Sequence, residues 1–455
     1  MRVLELAKSK VSHLRRSELA ENTAKLCMGQ GLRLVIQAAY FILIARSLGP
    51  KEYGAFVAMT SLVAIAAPFA GFGSPTVLLK NVSRKRELLP IYWGNGLLTV
   101  LVSGSCLSML VLALTPFLLG RQFLFLTILV CFSDLFMIRV AELATFAFSA
   151  LRRMGECARI NVYITLTRLI GIIILAAFVH HPTFQQWTIA YVLGASACFL
   201  YTFIRTTIVA GGIEVRPQLA WKEVPESVLF AVSTSSTSIY NDLDKTMVGR
   251  LATFTAAGIY GAAYRIIDVS VVPVRAMLAA AYPEFFRIGV DGPSATKRYA
   301  YRLIKRAVPY GAVITAGLLL GAPLIPHVLG KNYYPAVEAL RWLAIIPLLR
   351  CVHVFLADGL TGAGYQGRRT GVQVGVGVLN AVLNVFFIRH WSWRGAAWSS
   401  VICDAGLVIS LWLVFEHLTS KEPEAIAAES HTSCPNRQVG DSGDAQSALA
   451  RITGT

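Results

Sequence analysis

Charge is scarce in this chain. Asp, Glu, Lys and Arg make up 15% of its 455 residues, 55% are hydrophobic, and the mean hydropathy is +0.59. That composition excludes a soluble globular protein, which must cover its surface with polar groups. Acidic residues are scarcer still, 25 against 42 basic ones, for a formal net charge of +17. Paired cysteines are missing as well: Cys27, Cys106, Cys131, Cys157, Cys198, Cys351, Cys403 and Cys434 form no CxxC, and most fall in apolar runs. They read as small buried hydrophobes, not as redox or metal ligands. There is no HExxH spacing, and His180-His181 reads as a solvated loop pair, so no metal site and no cofactor is expected. The first twenty residues lack an uninterrupted apolar centre, because Arg2, Lys8, Lys10, Arg15 and Arg16 punctuate them, which excludes a cleavable signal peptide.

What the chain has in abundance is apolar runs. A helix needs about 20 apolar residues to cross a hydrocarbon core of about 30 Å, since each backbone polar group must be satisfied within the segment. Twelve runs meet or approach that length: 24 to 45, 53 to 78, 93 to 119, 122 to 149, 160 to 180, 187 to 209, 226 to 248, 256 to 285, 303 to 326, 336 to 362, 370 to 388 and 395 to 415. The seventh is rich in Ser and Thr. The basic residues then locate the sides. Of the 42, 27 fall on the side of the chain start, nine (Arg46, Lys51, Arg121, Lys245, Arg250, Lys331, Arg341, Arg389 and Arg394) on the other, and six within spans. That asymmetry is a topology signal, with both termini cytoplasmic, and it leaves no need for nucleic acid as a partner. Val3, Ala7, Val11 and Leu14 share one helical face, so residues 1–22 form a basic, amphipathic cytoplasmic segment that lies on lipid or simply fixes orientation. Beyond about residue 417 the composition predicts a disordered cytoplasmic tail, 417–455.

The chain also repeats itself. Tyr53-Gly54 in ARSLGPKEYGAF aligns with Tyr260-Gly261 in GRLATFTAAGIYGAA at an offset of 207. Phe148 to Leu175 faces Leu360 to Ile388 through Gly155 and Gly367 at 212, and Ala190-Tyr191 faces Ala397-Trp398 at 207. Matches at nearly one offset indicate a duplication. Six spans per copy is an even number, so both copies enter the membrane in the same orientation, a parallel repeat about an axis along the membrane normal. The predicted fold class is therefore all-α: a polytopic membrane protein of about twelve transmembrane helices in two parallel six-helix lobes, 23–210 and 226–416, joined by a cytoplasmic linker, 211–225.

The stretches AENTAKLCMGQGLRLVIQAAYFILIARSLGPKEYGAFVAMTSL, Ala20 to Leu62, and NDLDKTMVGRLATFTAAGIYGAAYRIIDVSVVPVRAMLAAAYPEFFR, Asn241 to Arg287, resemble the polysaccharide-unit flippases of the multidrug/oligosaccharidyl-lipid/polysaccharide exporter superfamily. The resemblance spans roughly residues 20 to 415. It implies a MATE-like fold with a V-shaped central cavity. It also implies transfer of a polyprenyl-diphosphate-linked oligosaccharide across the bacterial inner membrane, alongside the polysaccharide polymerase and glycosyltransferases of one pathway.

A charge at mid-membrane costs about 2.5 to 3.5 kcal/mol on insertion scales, so intramembrane ions are candidates for function and face the bundle interior. Arg33 lies roughly 15 Å into the first span. Gln30 and Gln37 flank it on the same face, which should look into a cavity. In the eighth span Arg265, Asp268 and Arg275 fall on one face, one carboxylate between two guanidiniums. A guanidinium fork grips diphosphate oxygens bidentately, so Arg33, Arg265 and Arg275, with Gln30 and Gln37, are the expected substrate-binding set. The competing reading makes Arg265 and Asp268 an internal pair. Asp268, Asp242 and Asp244 are candidates for coupling or gating; alternatively, Asp244 neutralises Lys245 and Arg250. Arg139 with Glu142 reads as a structural pair, and Arg168, Arg350, Asp134, Asp358 and Asp404 nearly balance in sign. Trp187, Trp391, Trp393 and Trp398 lie near span ends, as interfacial anchors do.

Three functions compete. A flippase for lipid-linked oligosaccharide needs cations in its cavity. A multidrug or cation antiporter on the same fold needs an unpaired carboxylate. A sugar-joining enzyme needs positioned acid and base groups outside the membrane, and the outer loops are short, the longest near Lys331 to Arg341, with no paired carboxylates in one loop.

Overall fold

A computed structural model describes residues 2–179, 182–219 and 242–432, with side chains placed over 28–179, 182–219 and 242–420. The His180-His181 pair, most of the expected linker's end and of the seventh span (220–241), the side chains of the basic N-terminal segment and residues 433–455 of the tail lie outside what is described. Every regular element among the described residues is helical. Among the described residues nine helices are long and apolar enough to cross a bilayer, or ten if one bent pair is counted as a span.

The first helical stretch, α1, Arg2–Ala66, is two helical limbs that meet at a kink: Gly49 has φ 70° and ψ 171°, outside the helical range, and Pro50, which has no N–H to donate, follows it. Phe41 and Tyr53 are twelve positions apart, about 18 Å along a straight helix, yet their rings meet at 5.9 Å. The chain therefore turns back at Gly49, and the expected first two spans form a hairpin. Only a residue free of Cβ adopts that left-handed value without strain, and Pro50 pre-sets the first turn of the returning limb. The expected second span, 53 to 78, is interrupted. After Phe69 the backbone passes through Gly71, Phe72 and Gly73, all with positive φ, and resumes as α2, Ser74–Arg84. The Gly71 amide, freed by this break, donates to the Ser103 hydroxyl at 2.7 Å, as broken helices in hydrocarbon require.

The remaining N-lobe helices are α3 Leu89–Leu118, α4 Leu124–Cys131, α5 Ile138–Ala150, α6 Met154–Phe178 and α7 Phe184–Ala210. A π-helical turn, Phe132–Met137, joins α4 to α5. Helical residues 242–251 (α8) precede the C-lobe series: α9 Phe254–Ser270, α10 Val272–Gly289, α11 Pro293–Gly321, α12 Ile325–Leu329, α13 Pro335–Leu343, α14 Ile346–Gly362, α15 Gln366–Trp391 and α16 Trp393–Thr432. Helices α9 and α10 form the bent pair, turning 43° at Val271, with Pro273 in the first turn of α10 unable to continue the ladder. The repeat appears as geometry: α6 packs on α7 as α15 packs on α16. The last helix runs on to Thr432, past residue 417.

The doubled motif turns out to be a contact between the lobes. The second limb of α1 crosses the start of α9 with almost no space between backbones. A Cβ on Gly54 would run into the Phe254 carbonyl, and one on Gly258 into that of Pro50. Small residues permit this approach where lipid offers helices no hydrophobic drive to associate. Around the crossing Phe123 meets Phe254 at 5.2 Å, Tyr53 meets Tyr333 at 6.5 Å, and the Tyr333 hydroxyl donates to the Ala45 carbonyl at 3.0 Å. The molecule is sealed at the Gly49 end.

A candidate substrate cavity between the lobes

Behind that seal lies a cavity of about 330 Å³ walled by both lobes: the two limbs of α1, the π turn, α6 and α7 on one side, α8 and α9 on the other. A second cavity of about 370 Å³ continues it toward Arg33 and Arg275, sharing Gln37, Asp242, Lys245, Arg265 and Asp268. Exposure rises in that direction. Tyr53 and Phe56 near the seal are buried, 5% and 6% exposed, whereas the Arg275 side chain is 57% exposed.

Five cations line the two cavities (Arg33, Arg168, Lys245, Arg265 and Arg275) against three carboxylates, Asp134, Asp242 and Asp268. Each carboxylate is engaged. Asp134, presented by the π turn, accepts from Arg168 at 2.8 Å and from the Tyr191 hydroxyl at 2.8 Å, while the Arg168 guanidinium stacks 3.8 Å from the Tyr191 ring centroid. π turns recur at functional positions because the extra residue re-aims a side chain. Asp242 holds Lys245 at 3.0 Å. Asp268 meets Arg350 at 3.3 Å and Arg275 at 3.8 Å. Arg33 and Arg265 remain, and neither has an ion-pair or hydrogen-bond partner among the described residues. Among the described residues, these two guanidiniums face the cavity without an ion-pair partner of their own, which leaves their charge the least satisfied there.

The model of one family, described as "Polysaccharide biosynthesis protein", matches residues 19–289, more than half of the chain. The chain belongs to the polysaccharide biosynthesis protein family. A curated relative, the probable low-salt glycan biosynthesis flippase Agl15 of Haloferax volcanii, is 20% identical over 402 residues, covering 85% of this chain and 81% of its own length. Among solved structures, the inward-facing conformation of a multidrug resistance MATE family transporter of the MOP superfamily aligns with a TM-score of 0.71 at 16% identity, over 88% of this chain and 96% of that one. A MOP superfamily transporter from Pyrococcus furiosus, whose description cites a reversed polarity of its binding pocket, aligns at 0.60 and 14%, over 88% and 96%. These likenesses establish the two-lobed MATE-like fold of this polysaccharide biosynthesis family member.

Of the residues expected at the family member's site, Arg33, Gln37, Arg265 and Arg275 come together in the cavity. Gln30 does not: it is exposed and lines neither central cavity, lying about one turn from Arg33 on the side away from Gln37. Asp268 does not pair with Arg265 but reaches across to Arg350 on α14 and to Arg275 beyond the bend. Asp242 lines the cavity, whereas Asp244 points away from it into the C lobe, accepting from the Tyr260 and Ser400 hydroxyls. Asp242 pairs with Lys245, and Lys245 itself is no outer-loop charge: it is 8% exposed because α8 continues to Leu251 before turning. Arg139 and Glu142 do pair, at 2.6 Å. Trp187 and Trp393 are core residues rather than interfacial anchors, 0% and 8% exposed, because they sit where helix ends pack together; Trp187 lies 6.4 Å from Tyr40. Sequence reasoning missed Arg168, Lys245 and Arg350 as cavity or support residues. One signal was available: Arg350 follows Arg139 by 211 residues, at the repeat's offset.

Proposed function

We propose that this protein flips polyprenyl-diphosphate-linked oligosaccharide units across the bacterial inner membrane by alternating access. The observation that carries the reading is the unpaired state of Arg33 and Arg265 at the meeting of the lobes. A diphosphate supplies the charge those guanidiniums lack and offers oxygens in the geometry a fork accepts. Arg275, shared with Asp268, adds a third cation where the cavity widens. The lobes, 23–210 and 226–416, rock about this midplane site while the polyprenyl tail stays in the apolar phase. Asp242, Asp244 and Asp268 are the carboxylates through which an ion gradient or the substrate's own charge biases the two states. Both termini lie in the cytoplasm, which delivers the substrate from glycosyltransferases to a polymerase on the far side. Translocation itself makes and breaks no covalent bond. The alternative, a multidrug or cation antiporter on the same fold, needs a free carboxylate, and the three in the cavity are each held by a cation.

The test is a reconstituted translocation assay with lipid-diphosphate sugars of defined composition, run with and without ion gradients. Losing one charge-assisted, forked contact worth about 1.5–3 kcal/mol corresponds to a 10- to 100-fold fall in rate for Arg33→Ala or Arg265→Ala, with insertion unchanged. Lysine at either position restores only part of it. Full activity of both alanine variants refutes the assignment.

A further inference from the structure

Arg298, Arg302, Lys305 and Arg306 fall within about 100° of one another around α11, and all four are exposed. The same stripe runs on through Pro309, Val313, Ala316 and Leu320, which are exposed too, Val313 at 70% and Leu320 at 82%. An exposed apolar row on a spanning helix faces acyl chains, so the four cations stand on the lipid side of the C lobe; none of them lines the central cavities. Helix α11 has 29 residues, roughly 43 Å of helix against a hydrocarbon core of about 30 Å. It ends beside the seal, where Tyr333 reaches Ala45, so its first turns emerge at the mouth end and the long side chains of the row reach the headgroup phosphates there. None of the four has an ion-pair partner among the described residues. Their neighbours do: Glu416 holds Lys297 at 2.7 Å, and Glu284, the acid close enough to act on Arg302, is held by Arg287. Orienting the chain does not demand such a row. At the offset of 207 that aligns the two Tyr-Gly motifs, the same positions on α3 are Ile91, Asn95, Leu98 and Thr99, and the N lobe keeps Arg84, Lys85 and Arg86 at the end of α2 and just beyond it, ahead of α3.

We infer that this row is a binding site for an anionic phospholipid bearing two phosphates, in the leaflet on the mouth side. The basis is charge and span. Basic clusters at a membrane surface recognise anionic headgroups, and three of these four cations are guanidiniums, which accept phosphate oxygens as a fork. From Arg298 to Arg306 the row covers eight residues, about 12 Å of helix, more than a single phosphate can contact, while the acyl chains of the same lipid lie along Val313 and Leu320. The inference is independent of what the central cavity carries.

The full-length protein, in nonionic detergent, is titrated with tetraoleoyl cardiolipin, with dioleoylphosphatidylglycerol and with dioleoylphosphatidylcholine, and occupancy is read by native mass spectrometry. Cardiolipin should bind about tenfold more tightly than phosphatidylglycerol, because its second phosphate engages further cations of the row, and phosphatidylcholine should not displace it. Arg302→Gln plus Arg306→Gln should weaken cardiolipin about tenfold, whereas Arg84→Gln plus Lys85→Gln, which removes the same charge from the N lobe, should leave it within about twofold. The single variant Arg302→Gln, expected to weaken cardiolipin about threefold, serves if the double variant fails to insert. Undiminished cardiolipin binding by the α11 variants overturns the inference. So does an equal loss in the N-lobe variant, which would mean that the lipid responds to net charge and not to this row. Phosphatidylglycerol binding as tightly as cardiolipin would refute a site built for two phosphates.

Discussion

Arg33 and Arg265 differ from the other cavity cations only in what surrounds them. Arg168 is as cationic, yet Asp134 and Tyr191 hold it, and Lys245 is held by Asp242 and lies 4.5 Å from the Tyr264 ring centroid. A charge in a low-dielectric setting is available to a ligand to the degree that its own protein has not already satisfied it. The held cations should act as structure. Asp134→Asn and Arg168→Ala should each destabilise the protein, and because the first leaves a guanidinium without its counter-charge, their effects should not add. A double-mutant cycle on thermal unfolding in detergent should return a coupling of about 0.5–3 kcal/mol. Additive effects would mean that the pair is incidental. The same reasoning explains why sequence could nominate Arg33: ten residues into an apolar run, with glutamines three and four positions away, it has one tolerable direction to face. Arg265 was legible for the same reason. Its freedom from Asp268 was not, because the competitor for that carboxylate, Arg350, is 82 residues away.

At the scale of helices, the doubled Tyr-Gly motif was readable as a repeat, and the φ of Gly49 adds that its first copy begins at a tight return. That the two copies bear on each other was not readable. The crossing depends on Gly54 and Gly258 meeting across the lobes, a coincidence of position that no local pattern encodes. A Cβ built on Gly261 lies 3.6 Å from that of Val57, within the range of about 3.5–4.5 Å that a disulfide spans. Val57→Cys with Gly261→Cys, in a cysteine-free background, should therefore cross-link readily in membranes and stop transport until reduced. Unhindered transport by the cross-linked protein would show that the lobes need not part here. The interruption of the second span at Gly71–Gly73 was missed because hydropathy runs through it. The break is stabilised by Ser103, a hydroxyl on another helix, and hydropathy does not report such a partner.

For the whole molecule, the arrangement of seal and mouth assigns a direction. Aromatic rings and touching glycines close the Gly49 end, while Arg275 stands exposed at the other. An impermeant maleimide should label Arg275→Cys only from the face opposite the Gly49 turn and Arg46→Cys only from the turn's own face. Labelling of Arg275→Cys from both faces would contradict a cavity sealed at one end. The sequence by itself determined that the chain lives in a bilayer, that it is helical, that it is two similarly oriented copies of one plan and that arginines fall inside its apolar runs. Each of these follows from composition, run length, offset or the cost of a charge in hydrocarbon, which are properties of residues in order along the chain. Only the tertiary structure decided which arginines are left without counter-charge and which end is shut. Those depend on distances between residues far apart in sequence, set by how closely two lobes can pack where their side chains vanish.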